Sequence, residues 1–147
     1  MKIDETNIDI IRELKQGKKS FKKIADKLSI TENTVRSRVN KLMEEEVLDI
    51  CGLVDPAKIP GHRTVIIGIN LSEMNLVEKG EEISRLRGVI SVSVVTGRYD
   101  LLVSVFFKKG FGLLEFYTEE ISKIDGVRSV ETFVVYKSYN LKVPYIL

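Results

Sequence analysis

Between Leu28 and Leu42 the chain reads Leu28-Ser29-Ile30-Thr31-Glu32-Asn33-Thr34-Val35-Arg36-Ser37-Arg38-Val39-Asn40-Lys41-Leu42, a turn followed by a helix with two unlike faces. Thr31 is a side-chain cap, and the spacing predicts a helix over residues 32–45. At about 100° per residue, Val35, Val39 and Leu42 fall on one side. Asn33, Arg36, Ser37 and Asn40 fall opposite them, with Lys41 flanking. A narrow apolar back and a front of Asn, Arg and Ser suit a helix that reads the major groove. Arg forks onto guanine, Asn onto adenine, and Ser onto base edges or phosphates. The alternative is a plain solvated face, but no acid interrupts this front between Asn33 and Lys41. Arg38 sits at the edge of the apolar side, as a phosphate clamp or an intramolecular ion-pair partner.

Upstream, Ile3, Ile8, Ile11 and Leu14 predict an amphipathic helix over 4–15, stopped by Gly17. Ser20 caps a short second helix whose stripe is Phe21, Ile24, Ala25 and Leu28, so three helices and a turn fill the first third. Net charge is only +2, yet ten bases face three acids between Arg12 and Lys41. Such a local field attracts a polyanion. Lys18, Lys19, Lys22 and Lys23 are the expected phosphate contacts.

Downstream, residues 47–54 have strand character, and turn signals at Asp55-Pro56 and Pro60-Gly61 mark a boundary. The expected domains are 1–54, a helix-turn-helix with its connector strand, and 55–147. In the latter, strands at 65–71, 89–96, 101–107 and 127–136 alternate with helices at 76–87 (Val77, Ile83 and Leu86 inward) and around 113–124 (Leu113, Leu114, Tyr117, Ile121, Ile124). The order β-α-β-β-α-β is that of a ferredoxin-like sandwich, giving an α+β protein. An internal echo supports it: Ser84-Arg85-Leu86-Arg87-Gly88-Val89-Ile90-Ser91-Val92 matches Ser122-Lys123-Ile124-Asp125-Gly126-Val127-Arg128-Ser129-Val130. Helices cover one face of such a sheet, and the other is expected to find a partner.

One cysteine, Cys51, and one histidine, His62, rule out an intrachain disulfide or a His/Cys zinc cage. Cys51 is expected to be a small buried apolar residue and His62 a loop residue, not a nucleophilic pair. No metal, cofactor or enzymatic activity is expected. No apolar run approaches the ~20 residues that span a bilayer, and no signal peptide is evident, so the expected location is cytoplasmic.

The chain resembles the Lrp/AsnC family of prokaryotic regulators over nearly its whole length. The carriers are Asp4, Ile8, Ile11, Leu14, Gly17, Lys18, Ser20, Ile24-Ala25, Thr31, Thr34-Val35, Arg38-Val39 and Leu42, then Gly88-Val89 and Thr96-Gly97-Arg98-Tyr99-Asp100. The resemblance implies a winged helix-turn-helix that binds double-stranded DNA at a pseudo-palindromic operator. The corresponding contact set here is Lys18, Lys19, Ser20, Lys22, Thr31, Asn33, Thr34, Arg36, Ser37, Arg38, Asn40 and Lys41. It also implies homodimers, assembled further into octamers, and a small effector, commonly an amino acid, near the Gly-x-Tyr-Asp turn. That nominates Gly97, Tyr99 and Asp100, with Thr132 and Val134 behind them; the alternative is a plain hairpin turn at Gly97. One departure is Glu44-Glu45-Glu46, where relatives often have glycine; these acids are expected to point away from DNA. Siroheme decarboxylases share the architecture but rely on histidine and arginine around a tetrapyrrole, and here only His62 is available.

Overall fold

The computed structural model describes residues 3–15, 17 and 19–147, which form two compact units divided after Cys51. The first unit holds α1 (Glu5–Leu14), α2 (Phe21–Leu28) and α3 (Glu32–Glu44). Each helix starts on a side-chain cap. Asp4 accepts from the Asn7 N–H at 2.9 Å, Ser20 from Lys23 at 3.3 Å, and Thr31 from Thr34 at 3.1 Å. These bonds satisfy amide donors that the first turn of a helix leaves without partners. The turn between α2 and α3 is made by Ser29 in the left-handed region, after which the Ile30 N–H returns to the Ala25 carbonyl at 3.1 Å.

Ile10, Ile24, Ala25, Val35 and Val39 form the buried centre of this unit, with Leu14, Phe21, Leu28, Ile30 and Leu48 packed around it. The phase of α1 differs from the sequence expectation. Ile8 is 39% exposed and Ile3 is also exposed, while Asn7 and Ile10 are buried. Positions 7, 10 and 14 share a face at i, i+3, i+7. Arg38 bonds the Asn7 side chain at 2.8 Å, which holds that polar residue inward and sets the phase.

The second unit contains a short pair, β1 (Leu53–Val54) with β6 (Val143–Pro144), and a four-stranded antiparallel sheet. The sheet strands are β2 (Arg63–Leu71), β3 (Val89–Val94), β4 (Leu101–Phe107) and β5 (Val127–Val134), in the order β3-β4-β2-β5. The connections are α4 (Leu76–Ser84) and α5, which begins at Leu113–Glu115 and continues through a π turn (Phe116–Glu120) and a 3-10 turn (Ile121–Lys123). This is the expected ferredoxin-like arrangement, so the protein is α+β. Val65, Ile67, Ile69, Leu101, Val103, Val105 and Phe107 alternate onto the helix-covered face and are buried with Ile83, Phe111, Phe116 and Ile121. The two echoed glycines behave alike: Gly88 and Gly126 both have φ of +81°. At Gly88 a Cβ would also lie 2.8 Å from the Phe106 carbonyl, so the conformation and the space both require glycine.

Three expectations change. Val77 is 77% exposed and Leu114 is 70% exposed, because α4 turns Leu76, Gly80 and Ile83 toward the sheet and the π turn brings Phe116 inward in α5. Of the connector 47–54, only Leu53 and Val54 are strand, and they pair within the second unit. Strand character expresses a fit to neighbouring strands, and a ladder partner reaches only these two residues. Cys51 is accordingly exposed instead of buried.

The end of α3 stores backbone strain. Glu46 has φ of +55°, the left-handed conformation in which a residue with a Cβ costs roughly 1–2 kcal/mol. Glu46→Gly is therefore expected to stabilise the helical unit by about 1 kcal/mol, seen as a rise in its thermal midpoint. A midpoint equal to that of Glu46→Ala would show that the conformation carries no strain.

Candidate nucleic-acid interface

Burial of Val35, Val39 and Leu42 fixes the rotation of α3. Its opposite side presents Asn33, Arg36, Ser37, Asn40 and Lys41 along one open concave surface. Five of the expected contact residues are thus brought together on one face. Glu44 and Glu45 line the same surface, against the expectation that the acids after Asn40 point away. One turn of helix separates position 40 from position 44, so the face that carries Asn40 also carries Glu44.

Five of the other expected contacts, Lys19, Ser20, Thr31, Thr34 and Arg38, have structural duties. Ser20 and Thr31 are caps, and Thr34 bonds the Thr31 hydroxyl at 2.8 Å. Lys19 and Lys27 both pair with the largely buried Glu13 carboxylate, which closes α1 against the start and end of α2. Lys22 is exposed, and Lys18 lies outside the described residues. Arg38 reaches Asp4 at 2.8 and 2.9 Å and Asn7 at 2.8 Å, so of its two expected roles the structure has the intramolecular one. The hydrogen bond from Arg38 is the largest influence holding the Asp4 carboxyl below its ordinary value, followed by the Asn7 N–H.

In the second unit, Val95 and Asp100 close the turn between β3 and β4 through a 3.0 Å backbone bond, with Gly97 at φ of +122°. Asp100 is tied to β2 twice. Its N–H reaches the Ile69 carbonyl at 3.0 Å, and its carboxylate accepts from the Leu71 N–H at 2.8 Å. Tyr99 lies across the other face of the sheet, and a Cβ on Gly68 would meet its ring at 2.6 Å. A glycine in the middle of an apolar strand marks such a close approach. The Tyr99 hydroxyl donates to Glu131, which holds its pKa above the ordinary phenol value, and its ring meets Phe133 edge-on at 5.7 Å. Arg98 pairs with Glu131 at 3.2 Å and lies over the Tyr99 ring at 5.6 Å.

Thr132 and Val134 do not join this cluster. Thr132 pairs in register with Ile67 and bonds the Tyr117 hydroxyl at 2.6 Å, on the helix-covered side. Val134 pairs with Val65, four residues along β2 from Ile69, or about 13 Å at strand spacing. Glu131, Arg98 and Phe133 are the residues that sequence reasoning missed; the mid-strand glycine at 68 was the available signal. Among the described residues, no group of three His, Cys, Asp or Glu side chains is placed to hold a metal ion, and no helix is long and apolar enough to cross a membrane.

A helix-turn-helix with an exposed Asn/Arg/Ser face, followed by a ferredoxin-like domain, defines a DNA-binding regulator with a second, ligand-binding module. Comparison with known proteins makes this specific. Residues 3–49 match the winged helix-turn-helix DNA-binding family, and residues 64–143 match the Lrp/AsnC ligand binding domain. The chain belongs to the Lrp/AsnC family of transcription regulators, not to a family of enzymes. It is 31% identical over 137 residues, 92% of this chain and 87% of its relative, to an uncharacterized HTH-type transcriptional regulator of Pyrococcus abyssi. It is 28% identical to the HTH-type transcriptional regulator LrpA of Pyrococcus horikoshii, across 87% of this chain and 92% of that protein. Among solved structures, E. coli AsnC shares the fold with a TM-score of 0.71 at 20% identity, covering 96% of this chain and 97% of its own. A Neisseria meningitidis transcriptional regulator solved with L-Met shares it with a TM-score of 0.70 at 18% identity, covering 99% and 96%.

Two outcomes follow from these contacts. Asp4→Asn keeps a capping side chain but loses the ion pair to Arg38. Because the folded-state carboxyl ionises below its ordinary value of 3.8, its contribution is present above that pH and is lost as pH falls through the lower, folded value. The variant should unfold at lower temperature than the parent at neutral pH, and the two should converge in acid below 3.8. At Gly68, alanine should cost about 1–3 kcal/mol by overpacking against Tyr99. In a Tyr99→Ala background the same change should be neutral or stabilising, as a urea-unfolding double-mutant cycle would read.

Proposed function

We propose that this chain is a sequence-specific regulator whose dimer lays one copy of α3 in each of two successive major grooves of a pseudo-palindromic operator. The observation that carries the reading is the division of α3: its apolar back is buried while Asn33, Arg36, Ser37, Asn40 and Lys41 share an exposed front. Half-sites then lie about one helical turn, ~10 bp, apart. Arg36 forks onto guanine and the asparagines take adenine edges. Ser20, Thr31 and Thr34, at the starts of α2 and α3, offer hydroxyls and amides to phosphates, and Lys18, Lys19 and Lys22 add charge.

The dimer forms through the sheet face opposite the helices, where Ile66 and Phe133 are each 41% exposed, and dimers assemble further into an octamer. The protein works in the cytoplasm. Its effector is an amino acid held at the loop that carries Gly97, Tyr99 and Asp100. A relative of the same fold solved with L-Met supports this class. With Asp100 engaged by Leu71, we assign the ammonium contact to Glu131 and the carboxylate contact to Arg98, beside the Tyr99 ring. Thr132 and Val134, on the edge strand β5, act only as a support.

The test separates reading from clamping. Arg36→Ala should cost ~1–3 kcal/mol at one base position and relax preference there alone. Lys22→Ala should weaken all sequences alike and lower the salt slope by about one. If Arg36→Ala binds selected and random DNA as the parent does, α3 is not the reading helix.

A further inference from the structure

Arg36 is held from two sides before any DNA is present. Its Nη2 donates to the Glu32 carboxylate at 2.9 Å, one turn back on α3. Its guanidinium carbon also stands 5.3 Å from the centroid of the Phe21 ring, at the first residue of α2. The Phe21 ring in turn packs on the buried cluster of the helical unit, so it is fixed by the core. The two constraints come from different helices and meet at a residue on the exposed front of α3.

An exposed i, i+4 ion pair contributes little to stability, and a cation over a ring at an exposed site contributes modestly. Their effect here is orientation. Arginine has about 2 kcal/mol of rotamer entropy, and a planar donor fork reads guanine only when it arrives edge-on. A guanidinium restrained by a carboxylate and a fixed ring starts near one geometry, so less order is lost when it docks. Glu32 has an opposing effect as well. Its charge sits in the first turn of the helix that enters the groove, where it repels every phosphate irrespective of sequence.

We infer that Glu32 and Phe21 are positioning residues for Arg36, and that Glu32 raises base discrimination at the Arg36 position while lowering affinity for all DNA. The inference rests on the reading of α3 as the groove helix.

The experiment uses the full chain and fragments selected by it from random DNA, together with single-base variants of the best-bound fragment. Arg36→Ala identifies the base position that Arg36 reads. At that position Glu32→Gln and Phe21→Leu should each lower discrimination about three- to tenfold, part of the range that one bidentate arginine supplies, and leave other positions unchanged. Glu32→Gln should at the same time tighten binding to unselected DNA, and Phe21→Tyr, which keeps the ring, should keep the discrimination. A global loss of folding would instead lower binding to every fragment and move no single position. The inference is overturned if Glu32→Gln strengthens selected and unselected DNA by one common factor, or if Phe21→Leu leaves the position intact. It is overturned equally if the loss spreads evenly over all positions. An Arg36→Ala variant with unchanged preferences everywhere would remove the groove-helix reading itself. One that flattens a position which Glu32→Gln and Phe21→Leu preserve would remove the clamp alone.

Discussion

A helix cannot bury one side without presenting the other, and in this protein that constraint acts at α3. Val35, Val39 and Leu42 are almost wholly withdrawn from water, the first two against Ile10, Ile24 and Ala25. Burial of a valine or leucine side chain is worth ~1.5–3 kcal/mol, so rotating α3 by even one residue would forfeit more than any surface contact returns. Asn33, Arg36, Ser37 and Asn40 are exposed as a consequence of that packing. The residue at the margin, Arg38, follows the same logic: too close to the core side to face outward, it crosses to Asp4 and Asn7 and ties α3 to α1.

The second unit solves a different problem, a sheet with one face covered by helices and one not. On the covered face, alternation alone fills the core. On the other face the side chains are mixed, and single contacts carry the organisation. Phe106 is sealed there by His62 and Tyr145, whose rings stand 5.5 and 5.7 Å away. At the far end, Gly68 gives up its side chain so that the Tyr99 ring can lie on the backbone, which brings Arg98 and Glu131 together beside an aromatic wall. A guanidinium and a carboxylate thus stand paired at one end of that face.

Much of this was legible because the chain states it locally. Capping residues at 20 and 31, the 3.6-residue period of α3, and the repeated Gly-Val at 88 and 126 are properties of adjacent residues, and each appears in the structure where the sequence puts it. The misreadings share a cause: they depended on partners distant in sequence. Asn7 displaces Ile8 from the inside of α1 only because Arg38, on another helix, is there to bond it. The connector reads as eight residues of strand but finds a ladder for two, since β6 extends over Val143 and Pro144 alone. Asp100 carries the charge that suits an ammonium, but one of its carboxylate oxygens already accepts from the Leu71 N–H, a partner 29 residues away in sequence. Thr132 reads as a neighbour of Tyr99, but Tyr99 bonds Glu131, and strand parity sends Thr132, the next residue on β5, to the opposite face.

The acids on α3 bring these threads together. Glu32 at its start, with Glu44 and Glu45 at its end, bracket a front that is otherwise neutral or basic. On the groove-helix reading proposed above, three carboxylates along α3 would be a defect in a protein whose only task were to hold DNA, because each opposes the counterion release that drives non-specific association. Their arrangement fits selectivity better. Arginine on its own is attracted to phosphate at any sequence; arginine beside a carboxylate is attracted only where guanine supplies acceptors in the right plane. On the same reading, acids at the far end of the helix would penalise any pose that lays the whole of α3 along the backbone, and favour entry by the end that carries Asn33 and Arg36. A regulator must discriminate one site from a large excess of others, so lowering affinity for all of them is a workable route if the right one recovers the loss through Arg36, as the proposed reading has it.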